Sequence, residues 1–521
     1  TFPGAENLGT ALSRAHGYSQ YDMIGKRWQT VFKTTLVDLP SPNHDRNVLE
    51  AKFNGGTMNA FLSVEEQEDL PYGGSDSAQA ARQLGLTTIA INDCDNVPYL
   101  WQYAKNFTLA DHYFQVFIGP SSPSNLAMLA AQTGISEQRL HRNLTLNPGT
   151  GQGLPMTYDL NPFKGPYPPS PAPTTPPSTP QPLQYPLSFA ALPMLYGGAP
   201  AAKAAIQSGT VGYVLDDLKA IAKYGMRAIP WRWSQEGFVD GTGYVAKSGY
   251  VAHHNPSQYF DYLRNNNAYW SHVTTAQRTL EDIDAGTLAS GVYYVKGSNK
   301  NGFGWKPASG DPYVQKKFLG DNDHPGKSDE QVAEAFVATY VNAIAKSKYW
   351  NQSAILIAWD DGGGFYDHVP PHQFEGCIDS YPCGDGQRLP LIVISPYASG
   401  SVMNDYSDTA SIAKFVENVF NLPRLGSLPI ESKVLPYGPG DVNPEISDLA
   451  DAFDYYRLNG LRPPIPASQA LVPPSQIGAF PPRMNCKSLG ITPIVIPTQP
   501  PYYKPIPLPS SSVNDDNSPD D

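Results

Sequence analysis

Short unbroken apolar runs alternate with amphipathic stretches through the second half of the chain. Residues 354–359 (AILIAW) and 391–395 (LIVIS) are continuous apolar segments of strand length, the pattern of strands buried on both faces of a parallel sheet. Before the first run, Ser328-Asp329-Glu330-Gln331 is a capping-box sequence. The helix it opens places Val332, Phe336, Val337, Tyr340, Val341 and Ile344 on one face. After the second run, residues 411–420 again read as helix. Earlier, residues 99–117 are apolar-rich and lead into the turn GPSSP at 119–123. A small-residue helix follows through Gln132, closed by Gly134, with Pro123 suited to its first turn and a serine before it to its N-cap. Helix, buried strand, loop, buried strand and helix predict an α/β fold, a doubly wound sheet with helices on both faces. Ligands of such sheets gather at the carboxyl ends of the strands, where Asp360 and Asp361 stand.

Proline divides the rest. Residues 162–182 are Pro/Ser/Thr-rich and predict an extended surface excursion from a single domain spanning 1–460. Residues 461–509 are interrupted by proline too often for regular helix and predict a strap over that domain, with 510–521 a frayed acidic tail. The chain has 521 residues, among them 52 prolines and 31 tyrosines, in keeping with a loop-rich body rather than a helical bundle. Its net charge of −12 and the absence of Lys/Arg runs interleaved with aromatics exclude a nucleic-acid surface. An acidic body does not attract phosphate at long range, so any phosphate site must be built locally from a metal, helix N-termini or histidines. No apolar stretch reaches the roughly 18–20 residues that span a bilayer. Thr1 opens directly into polar sequence, as in a mature processed chain. Cys377 and Cys383, close together in a polar loop, predict a local disulfide, and Cys94–Cys486 a second. With sequons at Asn106, Asn143 and Asn351, these features predict a secreted, periplasmic or cell-surface glycoprotein.

The candidate chemistry begins at Asp360-Asp361-Gly362-Gly363-Gly364. Two adjacent carboxylates after an apolar strand are costly unless their charge is compensated, and a hard cation on oxygen ligands is the usual compensation. The glycines allow a sharp turn and close approach of a ligand. Ser121 stands at the mouth of a helix, where free N–H groups favour an anion and a metal could activate its hydroxyl. On spacing alone, Ser121 and Ser122 read better as helix caps than as a nucleophile. His44 beside Asp45, the pair His253-His254, and His324 are further candidates, although a lone histidine is more often structural.

Several blocks decide between these readings: Asn43-His44-Asp45 with FNGGTMN at 53–59, NFTLADHYF at 106–114, GPSSPSN at 119–125, VAHHNPSQYF at 251–260, His324-Pro325-Gly326, WDDGGGFYDHVP at 359–370 and PLIVISP at 390–396. In this order they resemble the phosphoesterase family of acid phosphatases and non-haemolytic phospholipases C, closer to the acid phosphatases. The resemblance implies an alkaline-phosphatase-like α/β core and hydrolysis of small phosphate esters at mildly acidic pH. It implies Ser121 as a nucleophile that becomes phosphoserine, and one divalent metal ion (Ca²⁺, Mg²⁺, Mn²⁺ or Zn²⁺) on Asp360, Asp361 and Ser121. It further implies His44, His253, His254 and His324 around the phosphate, one as general acid, with Asp45 and His368 toward the substrate. Family members begin with an apolar strand ending in a Glu-Asn pair that completes the metal site; Glu6-Asn7 is such a pair in altered context. A phospholipase C acting on head-group diesters, and a catalytically silent binding protein, are the alternatives.

Overall fold

The computed structural model describes residues 19–70, 75–133, 159, 187, 189–209, 214–238, 249–264, 267–372, 385–433, 440–493 and 496–505. Glu6, Asn7, Gly134, Cys377, Cys383, the stretch 162–182 and the tail 510–521 lie outside the described residues. The strands in chain order are β1 (Ser19–Asp22), β2 (Arg27–Thr30), β3 (Phe32–Lys33), β4 (Ala90–Ile91), β5 (Thr108–Phe114), β6 (Trp231–Gln235), β7 (Val273–Thr274), β8 (Val292–Lys296), β9 (Ile355–Ala358), β10 (Arg388–Ile394), β11 (Val402–Met403) and β12 (Ser407–Asp408). Five helices position the site: α1 (Arg46–Phe53), α2 (Pro98–Asn106), α3 (Ser121–Ala130), α4 (Glu330–Lys346) and α5 (Thr409–Phe420).

The fold is mixed α/β. Its central sheet runs β11-β5-β10-β9, with β12 also on β5, and a separate parallel sheet runs β7-β6-β8. Side chains alternate across the central sheet, so the two faces of β10 meet different layers. Ile392 and Ile394 pack with Tyr99 and Tyr103 of α2 and Ala335, Ala338 and Val341 of α4. Leu391 and Val393 face the other way, with Ile412 of α5. A register shift between Leu389 and Leu391 pairs them with Tyr113 and Ala110 of β5; this bulge lets both β5 residues join the α5 side.

The two apolar runs do form neighbouring strands, but not parallel ones. β10 is antiparallel to both β5 and β9, whereas the short β11 and β12 are parallel to β5. β9 is only partly buried, with Ala358 exposed. An apolar run encodes burial but not direction. Parallel pairing needs a crossover, usually helical, and no helix is found among the described residues between β9 and β10. The expected doubly wound parallel sheet is therefore corrected to a mixed one, with helices on both faces.

Local signals also resolve differently. The stretch 99–117 divides into α2, opened by Pro98 in its first turn, and β5. The N-cap of α4 is Asp329, whose carboxylate accepts from the N–H groups of Gln331 and Val332, one residue beyond the serine of the capping-box pattern. The chain after residue 460 lies against the α2/α4 layer through Ile465, Ala470 and Val472. Farther on, Tyr503 stacks edge-on against Phe32 of β3 at 4.9 Å. A disulfide joins Cys94 to Cys486 across 392 residues of sequence.

Candidate active site

The carboxyl end of β9 delivers Asp360 and Asp361 into the mouth of α3. Pro120 takes the N-cap position of α3 in extended conformation and makes no side-chain cap hydrogen bond of its own. This leaves Ser121 as the first helical residue with its hydroxyl committed elsewhere: Oγ donates to Asp361 Oδ2 at 2.8 Å. The capping reading of Ser121 is thus replaced by a serine–aspartate contact. One turn along α3, Asn125 Nδ2 donates to the carbonyl of Ser121 (2.9 Å) and to Asp360 Oδ2 (2.8 Å). From the end of β8, Lys296 Nζ lies 2.6 Å from the same Asp360 oxygen and 3.4 Å from Asn125 Oδ1.

The glycines after the aspartates have specific work. Gly363 and Gly364 adopt left-handed conformations, and a Cβ on Gly364 would lie 2.8 Å from the carbonyl of Asn43. The turn brings the Gly363 N–H to Asp361 Oδ1 at 2.7 Å. Beneath it the ammonium of Lys52, fully buried, contacts Glu65 Oε2 (2.6 Å), the Asn43 carbonyl (2.6 Å) and the Gly364 carbonyl (3.3 Å). Glu65 Oε1 in turn accepts from the Asn43 N–H at 2.8 Å. This buried pair ties the loop that carries His44 to the glycine turn.

The two aspartates differ electrostatically. Burial works to raise the Asp360 carboxyl, but Lys296 and His254 beside it hold it well below the usual carboxylate range. Burial, opposed by His44 and reinforced by Asp360, keeps the Asp361 carboxyl above its ordinary value. The histidines thus converge on the pair, His254 toward Asp360 and His44 toward Asp361. His44 and His324 meet edge-on at 5.8 Å between ring centres, and His253 and His254 do so at 4.5 Å. Backbone carbonyls orient two of them, His44 Nδ1 on Pro42 (2.9 Å) and His324 Nδ1 on Pro325 (2.7 Å). Asp45 occupies the N-cap position of α1 without capping it by its side chain. His368 is half-buried on the loop after Asp367, whose carboxylate pairs with Arg388 at 3.1 Å.

Asn125, Lys296 and Asp159 belong to this cluster without having been read from the sequence. Asn125 follows Ser121 by four residues on a helix, a spacing that signals a shared face. Lys296 is the one charged residue of the strand VYYVK. Asp159 carries no local signal, yet its Oδ1 accepts from the Ser122 N–H at 2.7 Å and its Oδ2 lies 3.8 Å from His253 Nε2. Among the described residues, the one group of three His, Cys, Asp or Glu side chains close enough to share a metal is Asp93, Cys94 and Cys486, and its cysteines are tied in the disulfide. At the aspartate pair the donors are oxygens: two carboxylates and Ser121 Oγ. Two half-buried carboxylates against one ammonium leave negative charge to spare, so this set suits a hard divalent ion.

The chain is similar to several curated proteins. Phospholipase C B of Mycobacterium tuberculosis is 27% identical over 205 residues, 36% of this chain and 36% of the relative. Non-hemolytic phospholipase C of Burkholderia pseudomallei is 22% identical over 453 residues (80% and 53%), and hemolytic phospholipase C of Pseudomonas aeruginosa 21% over 466 (84% and 50%). The chain thus spans about a third to a half of the length of these curated relatives. Among solved structures, a phosphonate monoester hydrolase from Silicibacter pomeroyi overlays with a TM-score of 0.27 at 11% identity, covering 71% of this chain and 78% of that one, too loosely to bear on the fold. A model of the Phosphoesterase family matches residues 18–423, most of the chain, and the protein belongs to that family.

Proposed function

We propose that the protein hydrolyses phosphoric esters through Ser121. The observation that carries this is the Ser121 Oγ–Asp361 Oδ2 hydrogen bond at the N-terminus of α3, beside which His44 acts on Asp361 and His254 on Asp360. Ser121 Oγ attacks phosphorus and passes its proton to the Asp361 carboxylate. The phosphoryl oxygens gather charge against the first-turn N–H groups of α3, and Asn125 fixes the helix start relative to Asp360. A histidine protonates the departing alkoxide, and water then releases phosphate from the phosphoserine. A divalent ion on Asp360, Asp361 and Ser121 would supply charge stabilisation and lower the pKa of the hydroxyl.

Two substrate classes fit this chemistry. The resemblance to acid phosphatases supports a monoester at mildly acidic pH, and the names of the curated relatives support a head-group diester. The disulfide Cys94–Cys486 supports an oxidising, extracytoplasmic setting, and no described helix is long and apolar enough to cross a membrane. The test is turnover of p-nitrophenyl phosphate and of phosphatidylcholine by the wild-type chain and by Ser121→Ala. A loss on the order of 10³-fold or more is expected on the preferred ester. Unchanged turnover removes the nucleophile assignment, and a wild-type chain inert on both esters favours a binding role.

A further inference from the structure

Lys296 holds a position that the proposed chemistry does not use. It ends β8 in the three-stranded sheet, reaches across to the central sheet, and meets two residues of the candidate site, Asp360 and Asn125. The lone pairs of Asp360 are heavily committed as a result. Oδ2 accepts from both Lys296 Nζ (2.6 Å) and Asn125 Nδ2 (2.8 Å), and Oδ1 accepts from the Asp361 N–H (3.2 Å). An oxygen that already takes two donors has no lone pair left for a cation. An ammonium also repels a divalent ion that approaches the same carboxylate.

We propose that Lys296 is a tethered counter-cation that competes with a divalent ion for Asp360, so that its ammonium weakens metal binding at this site. Lys296 is in this sense a positioning residue, acting through Asp360 and Asn125 on the start of α3. The proposal rests on reading Asp360 as a metal ligand. Its consequence runs opposite to that of an ordinary supporting ion pair: removing the lysine should strengthen metal binding.

The experiment is calorimetric titration of Mn²⁺ alone into the chelator-stripped full chain. Lys296→Met should bind Mn²⁺ at least about tenfold more tightly than the wild type, since a repelling unit charge has gone. Lys296→Arg, which keeps the charge and the reach, should stay within about threefold of the wild type. In an Asp360→Asn background, Lys296→Met should make no difference. Equal or weaker binding by Lys296→Met overturns the proposal, as does the absence of Mn²⁺ binding in every variant. Lys296→Gln serves as the second neutral variant should Lys296→Met fold poorly, and tighter binding by Lys296→Arg would also overturn the proposal. The outcome is separable from that of Ser121→Ala. Lost turnover in the serine variant with unchanged Mn²⁺ affinity in the lysine variant refutes this proposal alone, and the converse refutes the nucleophile alone.

Discussion

Replacing Lys52 by methionine tests how the site is held up. The ammonium is fully buried against Glu65, itself 1% exposed, and also meets the carbonyls of Asn43 and Gly364. Methionine keeps the length of the side chain and removes all three contacts. A buried carboxylate that loses its partner costs about 3–5 kcal/mol. Each carbonyl left without its donor adds about 1 kcal/mol. The sum, roughly 5–7 kcal/mol, is a large share of the 5–15 kcal/mol by which domains are stable. A second substitution, Glu65→Leu, removes the stranded charge but leaves the Asn43 N–H and both carbonyls unpaired. The double variant should therefore recover about 2 kcal/mol or more relative to Lys52→Met. The assay is urea unfolding followed by tryptophan fluorescence for the wild type, both single variants and the double variant. A loss below about 1 kcal/mol for Lys52→Met, or energies that simply add in the double variant, would refute the reasoning. The site should feel the same change, because one ammonium joins the His44 loop to the turn after Asp361.

Two other consequences can be measured. Glu66 is buried under the β1–β2 hairpin, where burial, together with the charge of Asp22, pushes its carboxyl up to about 8 from an ordinary 4.5, although the Met23 N–H donates to it at 2.7 Å. Between those values the unfolded chain binds fewer protons than the native one, so this group lowers stability as pH rises. Glu66→Gln keeps the neutral shape, and its advantage in Tm over the wild type should widen from about pH 5 to about pH 8; a constant difference would refute the assignment. Asp159 places a carboxylate on the Ser122 N–H, where an incoming phosphoryl group needs a donor. Asp159→Ala should lower KM for the preferred ester about three- to tenfold by freeing that donor, and an unchanged or higher KM would show that the carboxylate does not compete.

What could be read in advance follows the range over which each interaction acts. The α4 face was legible because periodicity is local: Val332, Phe336, Tyr340 and Val341 are all buried. The glycine turn was legible because its constraint lies in three consecutive residues. Strand direction was not, since LIVIS and AILIAW would be equally apolar in either orientation, and only the path between them decides. The candidate site divides along the same line. That two aspartates after an apolar strand require compensating charge is a local argument, and it holds here. Which cation answers them is not local: Lys296 comes from another sheet, and Asn125 reaches Asp360 across 235 residues of sequence. Charge neutrality can thus be read from one segment, while the identity of the counter-charge belongs to the closed fold. For this reason a carboxylate pair in a sequence is evidence of a cation before it is evidence of a metal. In this chain the nearest cation is an ammonium, and any metal ion has to contend with it.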